Sequence, residues 1–424
     1  MRRLVAIAGL FVASQGTLEA QSLSEKFTDL FTFGDCGEPL CLSVELAGQH
    51  GFHYIPSVTQ GEDHLLQFLA GSIAKGIASL PFTAASSGVT YRVVDGELVA
   101  SSISAGAIFG ERSQTLGRGR LLAGFSVNSM RMDNVRGVPL RDLTFRFAHQ
   151  NVAAAELGDP LFENDIIEVR TNIDFHMLVT SAYVSYGVLD NLDVGVLVPL
   201  VRASLDGSSE AQVLPFSRPT PHLFGTVENP SEFADASSKG SAFGIGDIGI
   251  RVKANLFQRD AIGFAIAAEA RLPTGDSANF LGSGQTSVRA LGILSGRSGS
   301  FSPHLNAGVA IRPGSNQNSS LLGTAGFDHL LSERVTLAVD LIGDYELGDS
   351  RLPLPQYIVF DSPARRRVRL TDVPDQNDNI LDASVGLKMQ MPGDLRGVAN
   401  LLVPLSEGGL RPRYLWTFGL ERTF

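Results

Sequence analysis

The second half of the chain alternates apolar and polar residues with a period of two. In residues 247–256, Ile250 and Val252 fall on one face, whereas Arg251 and Lys253 fall on the other. Successive side chains of a β-strand point to opposite faces, whereas a helix needs apolar residues three and four positions apart. This pattern predicts strands that each separate an apolar environment from a charged one.

Alternating runs of this kind predict most of the strands. From residue 192 onward they are 192–205, 247–256, 262–272, 285–296, 301–312, 321–331, 335–346, 381–391, 399–405 and 411–424. Earlier candidates are 90–94, 97–102, 121–130, 143–149 and 170–188. After the N-terminus no apolar run reaches the ~18 residues of a membrane-spanning helix, and only helices and closed barrels satisfy every backbone group in lipid. We therefore expect an all-β fold, a transmembrane antiparallel β-barrel of roughly 12–14 strands with 14 preferred.

The connections between these strands alternate in length. Short turns fall at 189–191, 258–260, 297–299, 332–334 and 392–394, and longer links at 206–241, 273–284, 313–320, 348–379 and 406–410. Short periplasmic turns and longer outer loops are typical of transmembrane barrels. A soluble β-sandwich, the alternative fold, would have shorter strands and turns of similar length at both ends.

The final strand predicts a barrel C-terminus in the bacterial outer membrane. Trp416, Phe418, Leu420 and Phe424 share one apolar face, which Arg422 interrupts. We expect these four apolar side chains to serve assembly, with the barrel-assembly machinery and outer-membrane lipid and lipopolysaccharide as partners of a monomeric barrel.

The N-terminus predicts export. Met1, Arg2 and Arg3 form a positive start, residues 4–13 are apolar, and Ala20 is a small residue at the expected cut, which together give the layout of a secretory signal peptide. An earlier cut near residue 16 stays open. We expect residues 1–20 to be the cleaved signal peptide, 21–86 a periplasmic or plug-like segment, and 87–424 the barrel.

A short helix is predicted within the N-terminal segment. Leu65, Leu69, Ile73, Ile77 and Leu80 fall on one helical face of residues 62–80. Two interpretations stay open. Residues 61–80 block the barrel, or the helix packs against it without a gating role.

The two cysteines, Cys36 and Cys41, are predicted to form a small disulfide loop in an oxidising compartment. Two thiols without a nearby histidine cannot complete a tetrahedral metal site, and the eight histidines are scattered. No metal site and no cofactor are predicted.

Composition excludes one large class of function. The chain has 34 Lys and Arg against 44 Asp and Glu, a net charge of −10, so a general nucleic-acid binder is not expected. Charged residues make up 18% and there are 45 glycines, which suits many closely packed strands that face lipid on one side.

The polar positions of the alternating strands predict the lining of the lumen. These residues are Arg251, Lys253, Glu269, Arg271, Arg289, Asn306, Arg312, Asp340, Asp344, Lys388 and Glu421. Such a mixture of charges is typical of a hydrated path that selects permeants. Ion pairing that only fills and rigidifies the interior is the other interpretation.

Two motifs are not expected to do what their letters suggest. Gly244-x-Gly246-x-x-Gly249 matches a dinucleotide-binding fingerprint, but that site needs a following helix and here an alternating strand follows. The glycines are instead expected to ease a strand bend at the rim. Catalysis by Asp276, His304 and Asp344 has no support in spacing, so the chain is not predicted to be an enzyme.

A basic cluster lies in the longest predicted loop. Arg365, Arg366, Arg367 and Arg369 stand beside Asp372, Asp375 and Asp378. The arginines would suit lipopolysaccharide phosphates, although a solvated loop is the simpler expectation. The aspartates lack the spacing of a calcium loop.

Several stretches resemble one transporter family. They are Tyr186-Gly187-Val188-Leu189-Asp190-Asn191-Leu192-Asp193, Gly244-Ile245-Gly246-Asp247 and Leu272-Pro273-Thr274-Gly275-Asp276, with a fourth from Ser87 to Arg120. In order and spacing they are similar to the outer-membrane transporter family of the meta-pathway phenol degradation type, related to long-chain fatty-acid and toluene transporters. The resemblance covers about residue 65 to the end.

The resemblance implies passive uptake of small hydrophobic or aromatic permeants. A structural or adhesive barrel with a sealed lumen, whose loops bind lipopolysaccharide or a partner, is the alternative. A lateral opening in the wall is implied by the family, although no gap in the sequence requires it.

Overall fold

The computed structural model describes residues 21–34, 39–42, 54, 91–94, 97–100, 107–149, 165–215, 222–259, 261–314, 317–350, 357–360 and 365–424, with the backbone alone for 91–94 and 97–100. The expected signal peptide, the expected helix over 62–80 and Cys36 lie outside these residues. Cys41 is buried and disulfide-bonded, and its pairing with Cys36 stays a prediction. None of the helices in the described ranges is long and apolar enough to cross a membrane.

The described chain is built almost entirely of strands. They are β1 (Tyr91–Val94), β2 (Glu97–Ala100), β3 (Leu121–Val135), β4 (Val138–Pro139), β5 (Leu143–Ala148), β6 (Ile166–Leu189), β7 (Leu192–Leu214), β8 (Phe224–Gly225), β9 (Pro230–Ser231), β10 (Phe233–Ile245), β11 (Ile248–Arg259), β12 (Ile262–Leu272), β13 (Ser287–Gly296), β14 (Phe301–Ile311), β15 (Ser320–Ser332), β16 (Val335–Glu346), β17 (Tyr357–Phe360), β18 (Arg366–Arg369), β19 (Ile380–Met391), β20 (Leu395–Pro404) and β21 (Leu410–Thr423). Helix α1 (Leu23–Thr28) runs into a 3₁₀ turn over Asp29–Phe31, and a second 3₁₀ turn covers Leu140–Asp142.

Twelve antiparallel strands close into a barrel in the order β3, β6, β7, β11 to β16, β19, β20 and β21, which pairs back with β3. The closure is tight, because Phe424 N donates to Leu121 O at 2.7 Å and Leu121 N donates to Phe424 O at 3.2 Å. The preferred count of 14 is not confirmed. Three candidate strands lie elsewhere, since β1 and β2 pair only with each other and β5 pairs with β6 beside the barrel.

The loop predicted over residues 206–241 is wrong in part. β7 continues to Leu214, and β10 returns along it from Phe233↔Gln212 to Ile245↔Leu200. In this hairpin the polarity of the two faces is reversed, since inward Leu205 and Val213 of β7 are buried among apolar side chains whereas outward Asp206 and Glu210 are exposed. β20 also begins at Leu395, four residues before the predicted start at 399.

The two faces of the barrel wall differ as the alternation predicts. Outward side chains such as Ile250 and Val252 are 45% and 43% exposed, whereas their neighbours Arg251 and Lys253 are buried. The outward apolar set includes Trp416, Phe418 and Phe424, all exposed, while Leu420 is half-buried. An apolar outer face and a polar inner face suit a barrel in lipid.

The N-terminal helix packs against the inner face of the strands, at the barrel end that carries the longer connections (the long-loop end). Ser22 caps α1, because Glu25 N donates to Ser22 Oγ at 3.2 Å and Ser22 N donates back to Glu25 Oε2 at 2.7 Å. Leu23, Phe27 and Phe31 are buried in one apolar cluster with the inner faces of β6 and β7. The interior at this end is therefore apolar and filled.

Candidate functional site: the barrel lumen and the segment that crosses it

Residues 107–119, here called the strap, cross the interior at the opposite end of the barrel, where the turns are short. The strap starts beside β16 and β19. Phe109 N donates to Asp340 Oδ2 at 3.2 Å, and Lys388 Nζ donates to Ala107 O. Lys388 has no exposed surface, so the backbone of the strap covers this wall lysine.

The middle of the strap is held by an amide and by an ion pair. Glu111 N donates to Asn306 Oδ1 at 2.7 Å, and Asn306 Nδ2 donates to Glu111 O at 2.9 Å. The Glu111 carboxylate pairs with Arg251. Asn306 thus bonds both polar groups of one strap residue's backbone, much as a neighbouring strand would.

The next two residues of the strap are fully buried. Arg112 is 1% exposed, with Nε 3.8 Å from Asp328 Oδ1 and Nη2 3.4 Å from Ser302 Oγ. Ser113 N donates to Ser295 Oγ at 3.0 Å, and Asn255 Nδ2 donates to Ser113 O at 2.8 Å. Arg112 thus contacts β14 and β15, and Ser113 is bonded to β11 and β13, which fixes the course of the strap across the lumen.

The strap leaves the lumen along β6 and β7. Leu116 N donates to both carboxylate oxygens of Asp193, at 3.1 Å and 3.0 Å, and Gly119 N donates to Gly187 O at 2.8 Å. A Cβ at Gly187 would lie 1.9 Å from Gly117 O. Glycine is required at 187 because the strap backbone passes directly over it.

The eleven residues predicted to line the lumen all lie on strand faces opposite to exposed apolar side chains. Ten are buried and Arg289 is half-buried. Glu269 stands directly across from Arg251 on one neighbouring strand and from Arg289 on the other, so opposite charges form a row around the wall. Their role in permeation stays a prediction.

Most of these charges have a partner inside the barrel. Arg271 Nε lies 2.6 Å from Glu269 Oε1, Arg312 Nη2 lies 3.1 Å from Asp344 Oδ2, and Arg396 Nη1 lies 3.1 Å from Glu421 Oε1. Pairing offsets the cost of removing each charge from water. Both interpretations of the mixed charges therefore stay open, a selective path and a rigid filling.

The glycine motif lies at the interruption between two successive strands. β10 ends at Ile245 and β11 begins at Ile248, so Gly246 and Asp247 form the joint, and a strand follows them, as expected. Asp247 accepts from Gly275 N at 3.1 Å and from Ser283 N at 2.8 Å. The stretches 244–247 and 272–276, which carry part of the family resemblance, thus meet at the base of one loop. Asp247 there holds the connection between β12 and β13.

The three residues considered for catalysis are not gathered into one site. His304 Nε2 lies 2.6 Å from Asp340 Oδ1 in the wall, and Asp344 pairs with Arg312. Asp276 accepts from Asn279 Nδ2 at 2.7 Å in the loop after β12. Each belongs to a separate contact.

The basic cluster of the long loop lies on the short hairpin of β17 and β18. The Arg367 guanidinium lies 3.5 Å from the centre of the Tyr357 ring, and Arg369 Nη1 lies 3.4 Å from Asp372 Oδ1. Asp378 is the partner of Arg136, at 2.8 Å. These contacts order the loop, and binding of lipopolysaccharide there stays a prediction.

No alternating pattern marks the strap in the amino-acid sequence. The feature that could have indicated it is the set of glycines at 110, 117 and 119, in a stretch without alternation. Two of them, Gly117 and Gly119, have φ angles of +89° and +78°, which favour glycine.

The comparisons with known proteins give likenesses of fold only. No protein-family model and no curated protein matches the chain. Among solved structures, it is similar to the COG4313 outer membrane channel from Pseudomonas putida F1, with 12% identity, a TM-score of 0.43, and coverage of 74% of this chain and 98% of that one. It is also similar to a Pseudomonas aeruginosa FadL homologue, with 12% identity, a TM-score of 0.33, and coverage of 72% and 90%.

A third similar structure is the CymD monoaromatic hydrocarbon channel, with 10% identity, a TM-score of 0.25, and coverage of 73% of this chain and 89% of that one. None of the three is described as a phenol-degradation transporter, so that part of the sequence resemblance is not confirmed. Because all three TM-scores are below 0.5, the barrel assignment rests on the strand pairing of this chain itself.

Proposed function

We propose that this chain is an outer-membrane channel for passive uptake of small hydrophobic or aromatic compounds. One observation carries the proposal. A closed twelve-stranded barrel has an apolar outer face, and its inner face carries charged and amide side chains towards the short-turn end. Lipid excludes open sheets, and a polar lumen is what a path through the membrane needs.

The strap is proposed as the constriction of that path. The hydrogen bonds given above that join residues 107–118 to the wall all involve at least one side chain, including those of Asn306 and Asp193. The wall is held by backbone pairing instead, so the strap can shift by exchanging side-chain contacts without breaking any strand pair. A shift of the strap therefore opens the lumen while the wall stays closed.

The apolar permeant class is supported by the long-loop end. There Phe31 lies 5.9 Å from Phe145 and 6.0 Å from Phe147, measured between ring centres, and Phe175 lies 5.7 Å from Phe280. These rings are buried, so an aromatic solute would enter by displacing one of them and taking its edge-to-face contacts. A permeant would meet this cluster first and the charged half of the lumen afterwards.

The sealed barrel is the second candidate, and the packing of the interior favours it. The α1 cluster fills one half of the barrel and the strap crosses the other. In that case the lumen charges serve rigidity alone.

Uptake by the purified protein in phospholipid vesicles separates the two candidates. A radiolabelled monoaromatic solute and single-channel conductance are measured for the full chain and for a deletion of residues 61–80. Solute uptake with little ion conductance supports the channel. If neither protein takes up the solute and neither conducts ions, the channel proposal is overturned and the sealed barrel remains. Ion conductance without solute uptake rejects the apolar permeant.

A further inference from the structure

Two histidines and an aspartate from separated parts of the chain meet at the long-loop end, outside the lumen contacts described above. His149 follows β5, Asp165 precedes β6, and His222 lies just before β8. One ligand atom from each lies within 4.8 Å of the others, and the residues are 0%, 4% and 3% exposed. Buried polar side chains of this kind need polar partners, and here each one contacts at least one of the other two.

The two imidazoles are spaced as ligands of one tetrahedral ion. Their Nε2 atoms lie 3.3 Å apart. Two nitrogens at Zn–N distances of ~2.0–2.1 Å and a tetrahedral angle would lie about 3.3 Å apart. The planes of the two rings are tilted by 50°. The ring centres lie 4.6 Å apart, compared with 3.3 Å between the two Nε2 atoms. A head-on N–H···N bond would separate the centres further, so the two rings lie side by side at an angle and not end to end.

Asp165 fixes the tautomer of one of them. Asp165 Oδ2 lies 2.8 Å from His222 Nδ1. A carboxylate at this distance holds the proton on Nδ1 and leaves the Nε2 lone pair of His222 directed at the shared position. Carboxylate, histidine and metal in this order form a common arrangement in protein zinc sites.

Tyr54 closes the site on one side. Its ring packs edge-on to both imidazoles, with centres 5.0 Å from His149 and 5.7 Å from His222. The site is therefore walled on this side by an aromatic ring that contacts both imidazoles.

We propose that His149 and His222 bind a divalent cation of the zinc class through their Nε2 atoms, with Asp165 holding His222 in place. Imidazole ligands favour zinc, copper and nickel over calcium and magnesium. Water completes the coordination.

The ion would tie separate segments of the long-loop end together. β5 and β6 meet at His149 and Asp165, where His149 N donates to Asp165 O at 3.4 Å. Beyond His222, Phe224 packs on Phe33 of the N-terminal segment, with ring centres 5.7 Å apart. Because the ligands come together only in the folded chain, metal binding should raise the melting temperature by mass action.

The test uses full-length protein without a histidine tag, purified in detergent and freed of metal with a chelator. Zn²⁺ binding is measured by calorimetry and by the shift in Tm, for the wild type, H149Q, H222Q and D165N. One ion per chain should bind the wild type and raise its Tm. H149Q and H222Q should lose both effects, and D165N should bind about 10–100-fold more weakly because it loses the orienting carboxylate.

His176→Gln is the matched control, since His176 is exposed on β6 and bonded to Ser129 at 3.2 Å. It should bind Zn²⁺ as the wild type does. Equal affinity in wild type and H222Q, or equal weakening by H176Q, would place the ion elsewhere and overturn the proposal. Should the histidine variants fail to fold, Co²⁺ bound to the wild type must give the visible absorption of a tetrahedral site, and a six-coordinate spectrum overturns the proposal equally.

Discussion

The hydroxyl oxygens of Ser113 and Ser295 lie 2.6 Å apart, which joins the middle of the strap to β13. Both side chains are buried, and Ser113 Oγ also contacts Gln258 Oε1 at 3.3 Å. The strap and the wall thus meet here through two small side chains.

A disulfide at this point should close the channel. In the double variant S113C/S295C the two sulfurs would replace oxygens already in contact, so a cross-link should form with little backbone movement. Solute uptake into vesicles should fall to background under oxidising conditions and return with reductant. The two single variants, treated identically, should keep uptake throughout. Full cross-linking with unchanged uptake would show that the strap does not move.

Glu111→Gln should lower the free energy of unfolding by about 3 kcal/mol, because it breaks the buried ion pair with Arg251. We expect the lower end of the usual range because Glu269 still faces Arg251 on the neighbouring strand. Equilibrium unfolding in detergent measures the change. Asp174→Asn is the control. It breaks an exposed ion pair in which the Asp174 side chain is 40% exposed and the Arg131 side chain is 51% exposed. The free energy of unfolding should fall by less than about 1 kcal/mol. Equal losses from both variants would contradict a buried role for Glu111.

Asp247→Ala should loosen the loop between β12 and β13. It removes the acceptor of Gly275 N, Ser283 N and Ser283 Oγ, so it should cost roughly 1–3 kcal/mol and speed amide exchange in residues 275–283. Hydrogen exchange followed by mass spectrometry reads this directly. The exposed Asp235→Asn on β10 should leave exchange there unaltered. Unchanged protection in Asp247→Ala would mean that other contacts hold the loop.

Removal of Phe424 should impair assembly of the barrel. The deletion removes both hydrogen bonds to Leu121 that close β21 on β3, together with an exposed aromatic ring. The fraction of chain that migrates as a folded, heat-modifiable barrel should fall several-fold. Phe243→Ala, which removes another exposed ring from β10, should assemble normally. Normal assembly without Phe424 would show that this residue is not needed for assembly.

The alternation of residue types predicted the barrel wall well. Ile250 and Arg251 lie on the faces that the sequence gives them, because a wall between lipid and lumen needs opposite polarities at neighbouring positions. The same rule fails for the hairpin of β7 and β10. There the inward face is apolar and the outward face is polar, and polar pairs such as Ser208 and Ser237 fall in strands that the pattern does not mark.

The sequence by itself thus determined most strands of the barrel wall, their two faces and the end that carries the short turns. It did not determine what fills the barrel. The strap has no periodicity, and its course depends on Asn306, Arg251 and Asp193, which lie on three different strands. His149 and His222 likewise lie far apart in sequence and meet only because separate loops converge. Periodicity reports the environment of each strand, whereas contacts between distant segments exist only once the barrel has closed.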